Sequence, residues 1–449
     1  MHHRSSGARR TNVDAEPHGR PLARGLLCLG GMNSPIPNSS TNYHVIAESE
    51  VWMETAAVDQ LRQVAALCGC RRAVGMPDLH PGRGIPIGAA FAFDDRVRPA
   101  LVGGDAGCGA RVIAVKRPRF TGDALVRRVS AETEGPALPD CDPAELFAAA
   151  WRAGPRGLLG VDGLPDSLAG VIEALVPEGR SADDTCESGS LPAPPDESGG
   201  FGEQLGTAGG GNHFVEIARV ERVADKAAAR ALDLSPGELA VVAHSGSRHL
   251  GAVVGARWHD AVLDTPDTQA AYLADLAGCC RYAEANRLVL AWRLLVALGA
   301  TRESSLGASF DLIHNTVRRE AVDGRDAFVH RKGCAPAPKD APTIVLGSRG
   351  TPSWVMLGEG CADSLSSVAH GAGRRMGRHE AVAKLRDRYP RSTLSRTPGG
   401  GTVLCDDPEL LYAEHPDAYK AIEPVIDSLE RAGAARRVAA LLPIVNVKR

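Results

Sequence analysis

Aromatic residues make up only 4% of this 449-residue chain, and no internal repeat is present. No apolar run reaches the ~18 residues that suggest a membrane-spanning helix, so a membrane protein is not expected. The apolar stretch Leu26–Leu29 is too short for a secretion signal. Charge of one sign is also lacking, since the net charge is only −3. That argues against coating nucleic acid by bulk charge and leaves a local basic groove open. Neither GxxxxGK[ST] nor GxGxxG occurs, so any nucleotide is held by another device. The 11 cysteines are odd in number and have no repeated short spacing. They read as reduced, mostly buried thiols of a cytoplasmic protein, Cys68, Cys70, Cys279 and Cys280 included. What is present is 44% hydrophobic residues and 23% charged ones, enough to bury a sizeable core. Collagen-like and wholly disordered chains are excluded.

The near-neutral average hides a segregation. Residues 1–31 carry five Arg against Asp14 and Glu16, without periodicity, and read as a disordered arm. Met32 is expected to be the translational start. Residues 181–200 carry five acids and no base among Ser, Pro and Gly, and read as a mobile surface insertion. Between and after them, the patterning predicts strands at Tyr43–Ala47, Ala89–Phe93, Arg111–Val115, Ile344–Leu346 and Trp354–Leu357. It predicts helices through Leu61 and Leu67, within 138–178, over 266–300, and over 364–388 after a His/Gly motif. The last forty residues hold two amphipathic stretches.

Glycine and polar residues concentrate in MPDLHPGRG (76–84), VGGDAGCG (102–109), GTAGGGNHFVE (206–216), AHSGSRHLG (243–251), IHNT (313–316), FVHRKG (328–333) and AHGAGRRMGR (369–378). Glycine in such runs lets the backbone approach a ligand and turn N–H groups toward anions. These motifs span most of the chain, so one domain of residues 32–449 assembles its site from all of it. Asp105, Cys108, His213, His244 and His314 offer a thiolate, a carboxylate and three imidazoles, a set suited to a transition metal. Ligand softness alone favours Zn²⁺. Each histidine taken singly is more often structural than ligating; the set carries the reading.

His370 is placed to attack a phosphorus centre. Arg374 and Arg378, four apart, would share a helical face with guanidinium forks suited to phosphate. A helix-capping histidine beside a solvated basic face fits the same residues. Arg248, Arg331, Lys332 and Arg349 add cations beside the motifs.

In this order the motifs DxGCG, GxGNHF, HSGSR, HN, HRKG, GSxG and HGAGR make the chain similar to the RtcB RNA ligases, over about residues 76–449. The resemblance implies an α+β fold: a single large domain with mixed β-sheets, surrounding helices and a central active-site cleft. It implies two Mn²⁺ held by Asp105, Cys108, His213, His244 and His314, with Cys108 bridging. His370 matches the histidine that becomes guanylylated from GTP. Asn212, Glu216, Ser353, Gly371, Ala372, Gly373, Tyr419 and Lys448 match nucleotide-site residues, Lys448 facing guanine. Arg248, Arg374 and Arg378 match arginines for phosphate or RNA.

The implied reaction joins an RNA 3′-phosphate or 2′,3′-cyclic phosphate end to a 5′-hydroxyl end, in a cytoplasmic monomer. Departures from the commoner patterns are GGDAGCG for GVDIGCG, GSRGTPSW for GSMGTASY, and Gly377 for Ser. These variants resemble the branch associated with peptide release factor H, which implies repair of damaged RNA and a link to a release-factor-like protein. Two other readings stay open: a metal-dependent cyclic phosphodiesterase, and a non-catalytic RNA- or ribosome-binding homologue.

Overall fold

Alternating apolar residues with β-branched side chains build the centre of the molecule. In the strands Gly109–Val115, Phe214–Val223 and Leu239–Ser245, successive side chains point to opposite faces. Ile113, Val115, Val215, Ile217, Val241 and Ala243 enter one hydrophobic core. Ala110, Val112, Ala218, Val220, Ala240 and Val242 enter another on the reverse face. A sheet covered on both faces reads as a nearly continuous apolar run, as in Gly109–Val115 and Leu239–Ser245, whereas Phe214–Val223 turns polar from Arg219 on, where it becomes exposed. A computed structural model describes residues 42–178, 193–195 and 200–448. The arm at 1–31, Met32 and nearly all of the acidic segment 181–200 lie outside the described residues.

The large sheet has eight strands. Seven of them run, in spatial order, Pro342–Val345, Ser353–Gly358, Ala435–Lys448, Phe214–Val223, Leu239–Ser245, Gly109–Val115 and Leu306–Ile313, each antiparallel to its neighbour. Thr402–Cys405 adds in parallel to the end of Ala435–Lys448. A five-stranded sheet of Tyr43–Val45, Cys70–His80, Ile87–Phe93, Arg325–Lys332 and Asn315–Val322 packs beside it, and Cys334–Pro336 pairs with Ser367–Ala369. With ten α-helices among the described residues, the fold is α+β.

The helix Pro266–Leu298 runs 33 residues, about 50 Å at 1.5 Å per residue. Thr265 caps its start by accepting from the Thr268 N–H, Pro266 occupies its first turn, and left-handed Gly299 ends it. From Asp275 onward it is buried nearly all round, because it lies inside the molecule against the large sheet.

Most predicted elements appear, with one informative difference. The stretch after the His/Gly motif is helical only over Arg378–Arg388. Arg374 lies in the preceding loop, bridged to Tyr419, so it shares no helical face with Arg378. Gly373, at φ +75°, breaks any earlier helix. His370 therefore follows a strand rather than opening a helix.

Candidate active site: a metal-ligand cluster beneath a cation-lined cavity

Sheet register assembles the cluster. His244 pairs across from Ala110 on one side and Phe214 on the other. Cys108 immediately precedes the strand bearing Ala110, and His213 immediately precedes Phe214. Ile313 lies opposite Gly109, so His314 follows at the same end of the sheet. Four neighbouring strands thus deliver four donors to one place from positions far apart in sequence. The His314 N–H donates to the Cys108 carbonyl at 2.8 Å and locks two of them together.

The distances are those of a ligand set. Cys108 Sγ lies 3.3 Å from His213 Nε2 and 3.5 Å from His244 Nε2. His244 Nε2 faces His314 Nε2 at 3.4 Å. Asp105 Oδ2 is 3.0 Å from His213 Nε2. The remaining nitrogens, Nδ1 of His213, His244 and His314, have no hydrogen-bond partner among the described residues. Edge-to-face and tilted packing of the rings, 5.1–5.3 Å between centroids, holds them instead. Burial, reinforced by the neighbouring imidazoles, keeps His244 and His314 neutral and able to ligate. Burial alone would push the Asp105 carboxyl up, but the His213 imidazole overrides it and holds Asp105 well below the usual carboxylate range. Burial and the Asp105 charge push the Cys108 thiol well up. A bound cation would reverse that and yield the thiolate. Converging sulfur and imidazole donors with no protein cation between them fit a divalent transition metal.

His370 sits at the edge of this cluster, its ring centroid 4.9 Å from that of His314. Its Nδ1 lies 2.7 Å from Oδ2 of Asp78, a fully buried carboxylate, at an angle too oblique for a straight hydrogen bond. Two features fix Asp78. A Cβ on Gly373 would come within 2.3 Å of its carbonyl oxygen, so only glycine lets the His370 loop close over it. The Lys420 ammonium donates to the carbonyls of Pro77 and Leu79, at 2.9 and 2.8 Å, on either side of it. Asp78 was visible in MPDLHPGRG; its carboxylate beside a buried loop histidine is what sequence alone did not connect.

Above the cluster opens a cavity of about 940 Å³. Of the predicted residues, Asp105, Asn212, His244, His370, Gly371, Ala372, Gly373, Arg374, Arg378, Tyr419 and Lys448 line it. Others sit behind its wall. Glu216 is buried, accepts from Asn446 Nδ2 at 2.7 Å, and is pushed up to about 8 by burial. The Ser353 hydroxyl accepts from the Gly347 N–H and shapes the loop before it. Lys448 donates to the His213 carbonyl at 3.1 Å, which ties the chain end to the cluster.

Arg374 is largely occupied: it donates to Glu414, Tyr419, and the carbonyls of Ala413 and Met376. It therefore braces Tyr419 and the wall. Arg378 is half exposed and also reaches Glu414, at 3.3 Å. Arg248 takes φ 60°, ψ −142°, a conformation that costs of order 1–3 kcal/mol outside glycine, and sits against Thr207.

Further buried polar residues complete the site, two from the long helix and one from the IHNT motif. Arg287, in the long helix, donates to the carbonyls of Gly107 and Ser245 and pairs with Asp311. Its neighbour Asn286 accepts from the Gly206 N–H and donates to the Ser245 hydroxyl. Asn315 donates to the Asp105 carbonyl and accepts from the Gly333 N–H. Together these clamp the loops that carry Asp105, Cys108 and His244. For Asn286 and Arg287 the only sequence signal is polarity inside an otherwise apolar run.

A convergent sulfur–imidazole cluster, a buried carboxylate–histidine pair and a cavity rich in Arg and Lys define a metal-dependent enzyme site suited to phosphate groups. Comparison with known proteins gives the family. The model of the family described as tRNA-splicing ligase RtcB matches residues 60–133 and 182–449. The chain is 33% identical over 408 residues to RNA-splicing ligase RtcB2 of Escherichia coli, covering 90% of this chain and 94% of that protein. It is 32% identical over 450 residues to RNA-splicing ligase RtcB of Mycobacterium tuberculosis, covering 87% and 100%. It is 30% identical over 455 residues to tRNA-splicing ligase RtcB of Archaeoglobus fulgidus, covering 87% and 91%. The chain belongs to the RtcB ligase family. Among the described residues no helix is long and apolar enough to cross a membrane.

Proposed function

We propose that this protein is an RNA ligase that joins a 3′-phosphate or 2′,3′-cyclic phosphate end to a 5′-hydroxyl end, consuming GTP through a histidine–GMP adduct on His370. The observation that carries the reading is His370 itself, held between Asp78 and the metal-ligand cluster at the floor of the cavity. Asp105, Cys108, His213, His244 and His314 would hold Mn²⁺. Bound there, the ions supply neutralisation of triphosphate charge and polarisation of the reacting phosphorus.

The residues then have defined tasks. Asp78 favours the proton on Nδ1 of His370, which leaves the Nε2 lone pair for attack. Nε2 attacks the α-phosphate of GTP and diphosphate leaves. The GMP passes from His370 to an oxygen of the RNA 3′-phosphate. The 5′-hydroxyl of the second end attacks that phosphorus, GMP departs, and a phosphodiester remains. A cyclic phosphate end is first opened by water. Asn212, Gly371, Ala372 and Gly373 line the nucleotide's path, and Tyr419 and Lys448 face the base, with Glu216 and Ser353 behind them. Arg248, Arg374 and Arg378 serve phosphate and RNA, Arg374 also as a brace. The variant motifs favour repair of damaged RNA, in connection with a release-factor-like protein.

Incubation with Mn²⁺ and α-labelled GTP is expected to give an acid-labile protein adduct, absent in His370→Ala. Asp78→Asn is expected to slow its formation about 10²-fold or more through loss of the required tautomer. An unlabelled wild-type protein under these conditions would overturn the ligase reading.

A further inference from the structure

Arg349 stands apart from the other cations of the cavity. It lines the cavity wall yet is only 5% exposed, and its Nη1 is fully enclosed without a hydrogen-bond partner. Among the described residues no ion pair joins it. Glu414, the acid that acts on it, is already engaged by Arg374, Arg378 and Tyr419. Burying a guanidinium without a partner is costly, and structures tolerate it where a ligand supplies the acceptors. Burial pushes Arg349 down only to about 10, so it stays charged at neutral pH.

The loop that presents it is rigid. The Ser348 N–H donates to the Thr351 hydroxyl at 2.8 Å, and the Gly350 N–H to the Ser348 hydroxyl at 3.4 Å. The Gly347 N–H is held by Ser353 at 3.0 Å. Ser353 thus acts on the base site by fixing this turn. The packing of the loop locates Arg349. A Cβ on Gly350, the next residue, would lie 3.0 Å from the ring of Pro416, which opens the short turn leading into Tyr419. Arg349 therefore stands toward the end of the cavity where Tyr419 lies.

We infer that Arg349 is a specificity-determining residue for the nucleotide base, with its guanidinium fork donating to O6 and N7 of guanine. This rests on the reading that GTP binds in this cavity. Guanine offers two acceptors on that edge, the pairing a guanidinium fork matches in two bonds. Adenine keeps N7 but places an amino donor where O6 would be, donor against donor. The commoner family motif has Met at this position, so Arg349→Met is a variant the loop is suited to hold.

The test is equilibrium binding of GTP, 7-deaza-GTP and ATP, each as its non-cleavable α,β-methylene analogue so that His370 cannot consume it, to the Mn²⁺-loaded full chain, read by titration calorimetry. Wild type is expected to favour GTP over 7-deaza-GTP, which lacks the N7 acceptor, by roughly tenfold. Arg349→Met should bring that ratio close to one and narrow the preference over ATP. Arg349→Lys should keep the charge without restoring the ratio, since an ammonium has no fork. Without ligand, Arg349→Met should melt at or above the wild-type temperature, because an unpaired buried charge is gone.

An unchanged ratio in Arg349→Met overturns the inference. So does an equal loss for all three nucleotides, which would put Arg349 on a phosphate, and so does a melting point lowered by several degrees. A wild type that binds no GTP removes the ligase reading and this inference together, and is told apart by that result alone.

Discussion

At the scale of single residues, the site depends on polar groups held where water does not reach. Glu216 shows how far this goes. Burial lifts its carboxyl to about 8 in the folded protein, against an ordinary value near 4.5. The folded state therefore binds a proton that the unfolded state has released between those two values. Its contribution to stability is fully present below about pH 4.5 and is lost as pH rises toward 8. Glu216→Gln removes the titration. Melting curves from pH 5 to 9 are expected to show the variant gaining on the wild type steadily up to about pH 8 and then levelling. Parallel curves would mean that Glu216 is charged in the fold. Arg374 carries the complementary lesson. A cation on a cavity wall is not thereby a free phosphate ligand, since four protein acceptors already hold this one.

At the scale of elements, the long helix Pro266–Leu298 acts as a peg through the site. Asn286 and Arg287 fasten the loops at 107, 206 and 245, and Arg293 fastens the carbonyls of Glu132, Glu134, Gly135 and Gly206. Arg287→Met leaves Asp311 buried with only Arg111 as counter-charge and leaves two carbonyls short of a donor. The expected loss is about 3–5 kcal/mol in urea unfolding. Because the loops it clamps carry Cys108 and His244, metal affinity should fall about 10- to 100-fold as well. Adding Asp311→Leu should recover part of the stability and none of the affinity. Metal binding at wild-type strength in Arg287→Met would show that the clamp is dispensable.

At the scale of the whole molecule, the ligands come from four adjacent strands of the large sheet whose segments lie far apart in sequence. Metal binding is therefore linked to global folding. A free metal concentration a hundred times Kd should stabilise the native state by about 2.7 kcal/mol. The expected outcome is a melting temperature that rises with Mn²⁺ and returns with a chelator. Cys108→Ala should fold and lose this response. A variant that keeps it would show that the thiolate is not a ligand.

The ligand types, the histidine and the order of the motifs could be read in the sequence because each is a local pattern: glycine beside a polar side chain, at the end of an apolar run. Strands and the long helix were legible for the same reason, from the spacing of their apolar residues. The tertiary structure alone decided that Asp78 meets His370, that Arg287 sits beneath the cluster, and that Arg374 is spent on Glu414 while no ion pair among the described residues joins Arg349. Those outcomes depend on sheet register and on which loops share one end of the sheet. Cys108 and His213 are 105 positions apart and touch because two strands align at a particular register. A local pattern can say that a residue is able to ligate or pair; only long-range packing can say with what.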